Sequence, residues 1–425
     1  MENEPMPILA GYMVPHPPLA VHEVGRGDGL KIQATLDAFD EVARDIAGLK
    51  PETIILASPH SIMYSDYFHI SPGYSARGDF GNFRAGGVQL TVQYDRELVQ
   101  AVCDKCDLLG FPAGTEGEKD HELDHGTMVP LYFINQRYRD YKLVRIGLSG
   151  LSLETHRIFG RIIASVVKKL GRRAVFVASG DLSHCQKADG PYGYKPDGPR
   201  YDERLMDVMG RGAFGELLDF DLGFLSRAEE CGHRSFVIMA GAMEDVAEKE
   251  WPVTARILSH ENTFGVGYGI GIFKPKPGRK TIIAEEKEMD AYVKLARQTI
   301  DTYIREGRII EPPEDLPEEM KKTRAGAFVS IHEHGMLRGC IGTILATQDS
   351  VAQEIIMNAI SASTRDPRFS RIRKEELPDL DINVDVLGDP EKISSPDELD
   401  VKKYGVIVTK GQRRGLLLPD LDNMK

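Results

Sequence analysis

The sequence predicts an α/β protein of two domains: an N-terminal domain with a central mixed sheet flanked by helices, and a smaller C-terminal α+β domain. Three observations carry this. Short apolar runs rich in β-branched residues alternate with helical stretches through residues 5–275. A segment rich in proline and lysine, KPKPGRK at 274–280, then reads as a linker. Beyond it, residues 281–425 mix short strands and helices without that regular alternation. A chain of 425 residues is long enough for each part to bury a core of its own.

Taken in order, ILAGYMVPHPP is a buried strand that ends at His16. A continuous apolar run suits a strand covered on both faces. After the loop HEVGRGDGLK, the residues Ile32, Leu36, Phe39, Val42, Ala43 and Ile46 keep helical spacing. TIILASPH repeats the strand-then-histidine pattern and delivers His60. The glycine-rich SPGYSARGDFGNFRAGG reads as a long surface loop over a site, and VQLTVQY as a strand with one wet face. Residues 96–110 are helical, and in HELDHGTMVPLYFI His121, Asp124 and His125 lead into an apolar run. KLVRIGLSG is another strand, and 156–170 a helix closed by Gly171. AVFVASGDLSHC, at 174–185, is the third strand-then-histidine unit; it breaks at Ser179-Gly180 into a turn bearing Asp181, Ser183 and His184. Helical stretches follow to about Glu250, and ARILSHENTFGVGYGIGIF closes the domain as a strand pair. The second domain reads as a helix from 289 to its cap at Gly307, then GAFVSIH, the LRGCIGT turn, the helix VAQEIIMNAISAS, the strand DINVDVL, and GVIV and GLLL around a basic turn. His332 and His334, in SIHEHG, flank a turn between strands.

A net charge of −12 argues against a nucleic-acid or anionic-membrane partner. No apolar run approaches the ~20 residues of a membrane helix, and MENEPMPILAGY lacks the basic start and apolar core of a signal peptide. Five cysteines, an odd number without framework spacing, suit free thiols in a reducing compartment, so a cytoplasmic protein is expected. Cys103 and Cys106 form a CxxC on an amphipathic helix with no second pair, and read as structural. GVGYGIG leads into a strand rather than a helix, so it is not a dinucleotide fingerprint.

Ligands of open α/β sheets bind beyond the carboxyl ends of the strands, so three strand-then-histidine units bring their imidazoles to one edge. Imidazole is neutral near pH 7 and is the commonest side-chain metal ligand. Two imidazoles and a carboxylate on one face hold iron(II) for oxygen chemistry. His16 and His60, each beside proline, are the candidate ligand pair. His125 and His184 are then cast as proton-transfer groups. Asp181 either orients His184 or the ligands through a hydrogen bond, or ends its strand as an Asx turn. The third ligand falls in EECGHR. Glu230 there would complete an iron(II) triad, whereas a Cys231 thiolate favours zinc or copper(I). Iron(II) is the first expectation, zinc or copper the alternatives, and a zinc hydrolase a further class.

Four motifs, PHPPL around His16, SPH at His60, LDHGTMVPL around His125 and SGDLSH ending at His184, together resemble the LigB-type class III extradiol dioxygenases, a superfamily that includes the Memo proteins. The resemblance implies a non-haem iron(II) oxidoreductase that opens a catecholic or phenolic aromatic ring with O2. It implies His16 and His60 as ligands, and His125 and His184 as the acid/base pair. Ring-cleaving relatives carry a glutamate as third ligand; Cys231-Gly232 is similar instead to Memo, whose site includes a cysteine. From 281 onward LRGCIGT, STRDPRF and GLLLPDLD resemble the AMMECR-type domain, and the chain is expected to stop short of that domain's last part. Cys340, between glycines, either meets a ligand or holds a structural turn. The fusion resembles proteins of the AmmeMemoRadiSam system, which implies a radical-SAM enzyme as partner. The alternative function is accordingly a Memo-like metal-binding or redox protein without ring cleavage.

Overall fold

The computed structural model describes residues 8–117, 122–244, 251–276 and 290–388, with shorter pieces beyond them that include a strand pair, Val406–Lys410 and Arg413–Leu417. His121 and residues 277–280 of the expected linker lie outside the described residues. The first residues of that linker are strand, because the last strand of the N-terminal sheet runs to Pro275.

Six strands make that sheet: β1 (Ile8–Val14), β2 (Thr53–Ser58), β3 (Lys142–Gly147), β4 (Ala174–Ser179), β5 (Val253–Glu261) and β6 (Tyr268–Pro275). Their order is β3-β2-β4-β1-β6-β5. The first four run parallel, and β6 and β5 add an antiparallel edge, so the sheet is mixed. Ala57 lies opposite Ala178, and Val14 opposite Ser179. The three strands that carry histidines past their ends are therefore neighbours that stop level with one another.

Helices α1 (Gln33–Leu49), α2 (Arg96–Leu109), α3 (His125–Ile134), α4 (Leu153–Leu170), α5 (Asp197–Arg211) and α6 (His233–Ala242) cover the sheet. Successive side chains of a strand point to opposite faces. In β4, Phe176 and Ala178 join the core built with α2, α4, α5 and α6, while Val175 and Val177 join the core built with α1 and α3. Both faces are buried, which is why the run is apolar without alternation.

Helix α4 starts three residues before the sequence-based expectation, at Leu153, because the Ser152 hydroxyl accepts the Thr155 N–H and caps it. The expected loop over 71–87 is largely a two-stranded ribbon instead, Ser75–Phe80 against Ala85–Gln93. Its buried residues, Ala76, Phe80, Leu90 and Val92, alternate with polar or glycine neighbours. That spacing, obscured by glycines, fixes its register.

In the C-terminal part, α7 (Ala291–Glu306) and α8 (Val351–Thr364) pack against a three-stranded antiparallel sheet of β7 (Ala327–Glu333), β8 (Met336–Gly342) and β9 (Leu380–Val386), ordered β8-β7-β9. Leu295, Ile300, Val329, Ile331, Ile355 and Ile360 lie in its core. His334 and Gly335 form the turn between β7 and β8, both at positive φ (54° and 87°), the backbone that a two-residue hairpin requires. Among the described residues no helix is long and apolar enough to cross a membrane.

Candidate metal centre

His16 and His60 each stand two residues past a strand end, and their Nε2 atoms are 3.0 Å apart. The Sγ of Cys231 lies 3.7 Å from Nε2 of His16. One ligand atom from each of the three residues falls within 4.8 Å of the others. Glu230 is not brought to this group. Its carboxylate accepts the backbone N–H of His233 at 2.6 Å, closing the first turn of α6. Of the two candidates for the third position, the thiol is the one that faces the imidazole pair.

A network of backbone and hydroxyl groups fixes the tautomer of His16. Pro130 inside α3 has no N–H for the carbonyl of Gly126, four residues back. That carbonyl accepts the Ser179 hydroxyl instead, at 2.5 Å. With its proton committed there, the Ser179 oxygen can only accept from Nδ1 of His16, 3.0 Å away. The Nδ1 nitrogen therefore carries the hydrogen, and Nε2 presents a lone pair to His60 and Cys231. The His16 backbone N–H donates to Oδ1 of Asp181 at 2.8 Å. On the His60 side, the Ser58 hydroxyl accepts the His60 N–H and donates to Asp124. Asp124 in turn caps α3 by accepting the Thr127 N–H at 2.9 Å, which sets His125 at the first helical position.

The loop bearing Cys231 reaches the site through two glycines. A Cβ on Gly180 would sit 2.0 Å from the Cα of Gly232, and one on Gly232 would sit 2.5 Å from the Phe236 ring. This close approach lets the Asp181 N–H point at Sγ of Cys231 (3.3 Å) and the Asp181 carbonyl accept the Gly232 N–H (3.1 Å).

The His125 ring centroid is 4.0 Å from that of His60 and 5.4 Å from that of His16. The edge of Phe83, from the ribbon, packs on His125. His184 stacks on Tyr192 at 5.0 Å, and its backbone N–H donates to the carbonyl of Glu229. Burial pushes all four imidazoles toward the neutral form: His16 well below its ordinary value, His60 and His184 below theirs, and His125 down to about 4. Mutual repulsion among the imidazoles adds to this for His16, His125 and His184. Burial raises Asp181 to about 7. Burial and the nearby Asp181 and Glu230 push the Cys231 thiol well up, so a thiolate forms there only against a cation.

The arrangement fits a metal ion. Two neutral imidazoles and a thiol converge, and nitrogens bound at ~2.1 Å to one ion lie roughly 3.0–3.4 Å from each other. A cavity of about 800 Å³ opens beside His60 and His125, lined by Arg77, Asp79, Asn82 and Phe83 among others. Sequence reasoning missed Ser179, Ser58, Phe83 and Tyr192. The two serines carried a signal, since each ends a strand just before its histidine or aspartate; the aromatic pair sits in glycine-rich stretches without periodicity.

Both parts of the chain match known families. Residues 10–271 match the family model described as the catalytic LigB subunit of aromatic ring-opening dioxygenase, and residues 293–425 match the AMMECR1 model. A protein of Clostridium acetobutylicum is 41% identical over 97% of this chain and 91% of its own length. A protein of Thermotoga maritima is 54% identical over 31% of this chain and 77% of its own. Among solved structures, one from Escherichia coli K12 is 16% identical, covering 63% of this chain and 99% of that one, with a TM-score of 0.43.

Proposed function

Because the chain belongs to the LigB family across residues 10–271 and continues into an AMMECR1 domain, we propose that its N-terminal domain is a metal-dependent oxidoreductase in which His16, His60 and Cys231 hold one cation. The observation that carries this is the convergence of the Cys231 sulfur with the two Nε2 atoms, while Glu230 is spent on a helix end. A bound redox metal would supply a coordination point for a phenolic oxygen and a route for electrons. The thiolate in the donor set favours copper(I) or zinc over an oxygen-activating iron, and copper, the one of the two that changes oxidation state, suits a Memo-like redox centre that serves a radical-SAM enzyme.

The chain's own groups supply the rest. His125 and His184, neutral at pH 7, enter as bases able to take a proton from a substrate hydroxyl. Asp181 holds the His16 backbone and the Cys231 loop together and so positions both ligands. Phe83 offers an aromatic wall beside His125, and Arg77 a positive charge in the same cavity.

A second reading, iron(II)-dependent extradiol cleavage of a catechol, is favoured by His125, a neutral imidazole that packs against His60 and lines the same cavity. Metal analysis of protein purified without chelator, followed by anaerobic reconstitution with iron(II) or copper(I), separates the two. The first reading expects a bound metal ion that Cys231→Ser removes, and no ring-opened product from a catechol panel in air. Yellow ring-opened product from iron-loaded protein would replace it with the second. No stoichiometric metal under either condition would remove both.

A further inference from the structure

A second group of ligand-type side chains lies far from the histidine edge, where the hairpin turn of the C-terminal sheet meets the N-terminal domain. Glu333 ends β7, His334 forms the turn, and Asp379 stands just before β9. One ligand atom from each lies within 4.8 Å of the others. Glu333 and His334 are buried, at 0% and 5% exposure. Arg161 of α4 reaches across to donate to the carbonyl of His334 and holds the turn in place.

Buried polar atoms in native proteins are nearly always hydrogen-bonded. Here two adjacent ones have no hydrogen-bond partner: Nε2 of His334 and Oε2 of Glu333. Nε2 of His334 is 3.9 Å from the other oxygen of Glu333, too far for a hydrogen bond but a natural separation for two ligands of one ion. That other oxygen, Oε1, accepts from the Lys105 ammonium on α2, the only positive charge given an ion pair with this carboxylate among the described residues. Burial and the nearby Lys105 and Arg161 keep His334 neutral, at about 3, which leaves a lone pair for a cation. Asp379 and Lys105 also line a cavity of about 1320 Å³ between the two domains, so the group is reachable from solvent.

We propose that Glu333, His334 and Asp379 form a second cation site, one imidazole and two carboxylates taking a zinc-class divalent ion, at the seam between the two domains. The donor set, one nitrogen and two oxygens, leaves a position for water or for a small ligand entering from the cavity. Lys105 competes with the ion for Glu333. In the metal-free protein its ammonium supplies part of the charge that the ion would bring. Filling the site ties Glu333 and His334, on the hairpin, to Asp379 across the same sheet, against the α2 and α4 surface.

The test titrates zinc chloride by equilibrium dialysis into full-length protein carrying His60→Ala and Cys231→Ala, which removes the N-terminal ligand group. One zinc per chain is expected. Adding His334→Asn, a residue that tolerates the left-handed backbone, should weaken binding by about tenfold or more. Adding Lys105→Met, which removes the competing ammonium, should tighten it by about tenfold. No zinc uptake in the His60→Ala, Cys231→Ala chain overturns the proposal, as does uptake that neither added substitution shifts. Should that chain fail to fold, wild type and His334→Asn are compared directly, and a zinc count that does not fall by one overturns it. The N-terminal ligands are absent or unchanged in each comparison, so the outcome here is independent of the LigB-domain reading.

Discussion

Replacing Ser179 with alanine tests the tautomer lock on His16 most sharply. The Ser179 oxygen accepts from Nδ1 of His16 and passes its own proton to the Gly126 carbonyl that Pro130 leaves free. In Ser179→Ala both partners lose their bond, and the hydrogen of His16 is free to move to Nε2, where it blocks the ligand lone pair. Loss of such a supporting hydrogen bond typically weakens metal affinity by about 10–100-fold, or roughly 1.4–2.7 kcal/mol. The buried Gly126 carbonyl, left without a donor, should also cost about 1–3 kcal/mol of folding stability. Chelator-competition titration with zinc measures the first quantity, and urea unfolding of metal-free protein the second. Ser179→Thr, which keeps the hydroxyl, should restore most of the affinity. An alanine variant that loses stability but binds metal as tightly as wild type would refute the reasoning about the tautomer.

Other outcomes follow from the same geometry. Cys231→Ser should lower metal affinity by at least about 100-fold, while Glu230→Gln, at the helix start, should leave it within about threefold, measured by the same competition. Gly180→Ala should cost about 1–3 kcal/mol in urea unfolding, because the added Cβ would lie 2.0 Å from the Cα of Gly232, and it should weaken metal binding by pushing the Cys231 loop away. The buried histidines of metal-free protein should contribute less stability as pH falls from about 6.5 to about 4, while Asp181, Glu230 and Glu333, raised by burial to about 7, act in the opposite sense. His125, His156 and His233 are all held at about 4 in the fold against an ordinary 6.5, so at these three sites the unfolded chain binds more protons across that window. His125→Gln should flatten that dependence, and an unchanged pH profile would count against the burial of its neutral form.

The histidine edge was legible because a strand buried on both faces writes a continuous apolar run, and a histidine just past it has one place to go. Three such runs were readable as TIILASPH, ILAGYMVPHPP and AVFVASGDLSHC without knowing that β2, β4 and β1 are neighbours. The choice between Glu230 and Cys231 was not legible. They are adjacent in a turn, and their directions depend on the contact between Gly180 and Gly232, residues 52 positions apart. The strand at 75–80 was hidden in a glycine-rich stretch, whereas its partner was legible as the alternating VQLTVQY. His334 read only as a turn residue, since its neighbours Lys105 and Asp379 come from distant parts of the chain.

The central claim is that sulfur and two imidazoles share one ion. Cobalt(II) substituted into chelator-stripped protein reports this directly, because thiolate ligation produces an intense near-ultraviolet charge-transfer band that nitrogen and oxygen ligands do not. That band is expected in the wild type and in His334→Asn, and its loss in Cys231→Ser. Stoichiometric cobalt without the band, or a band that survives Cys231→Ser, would contradict it.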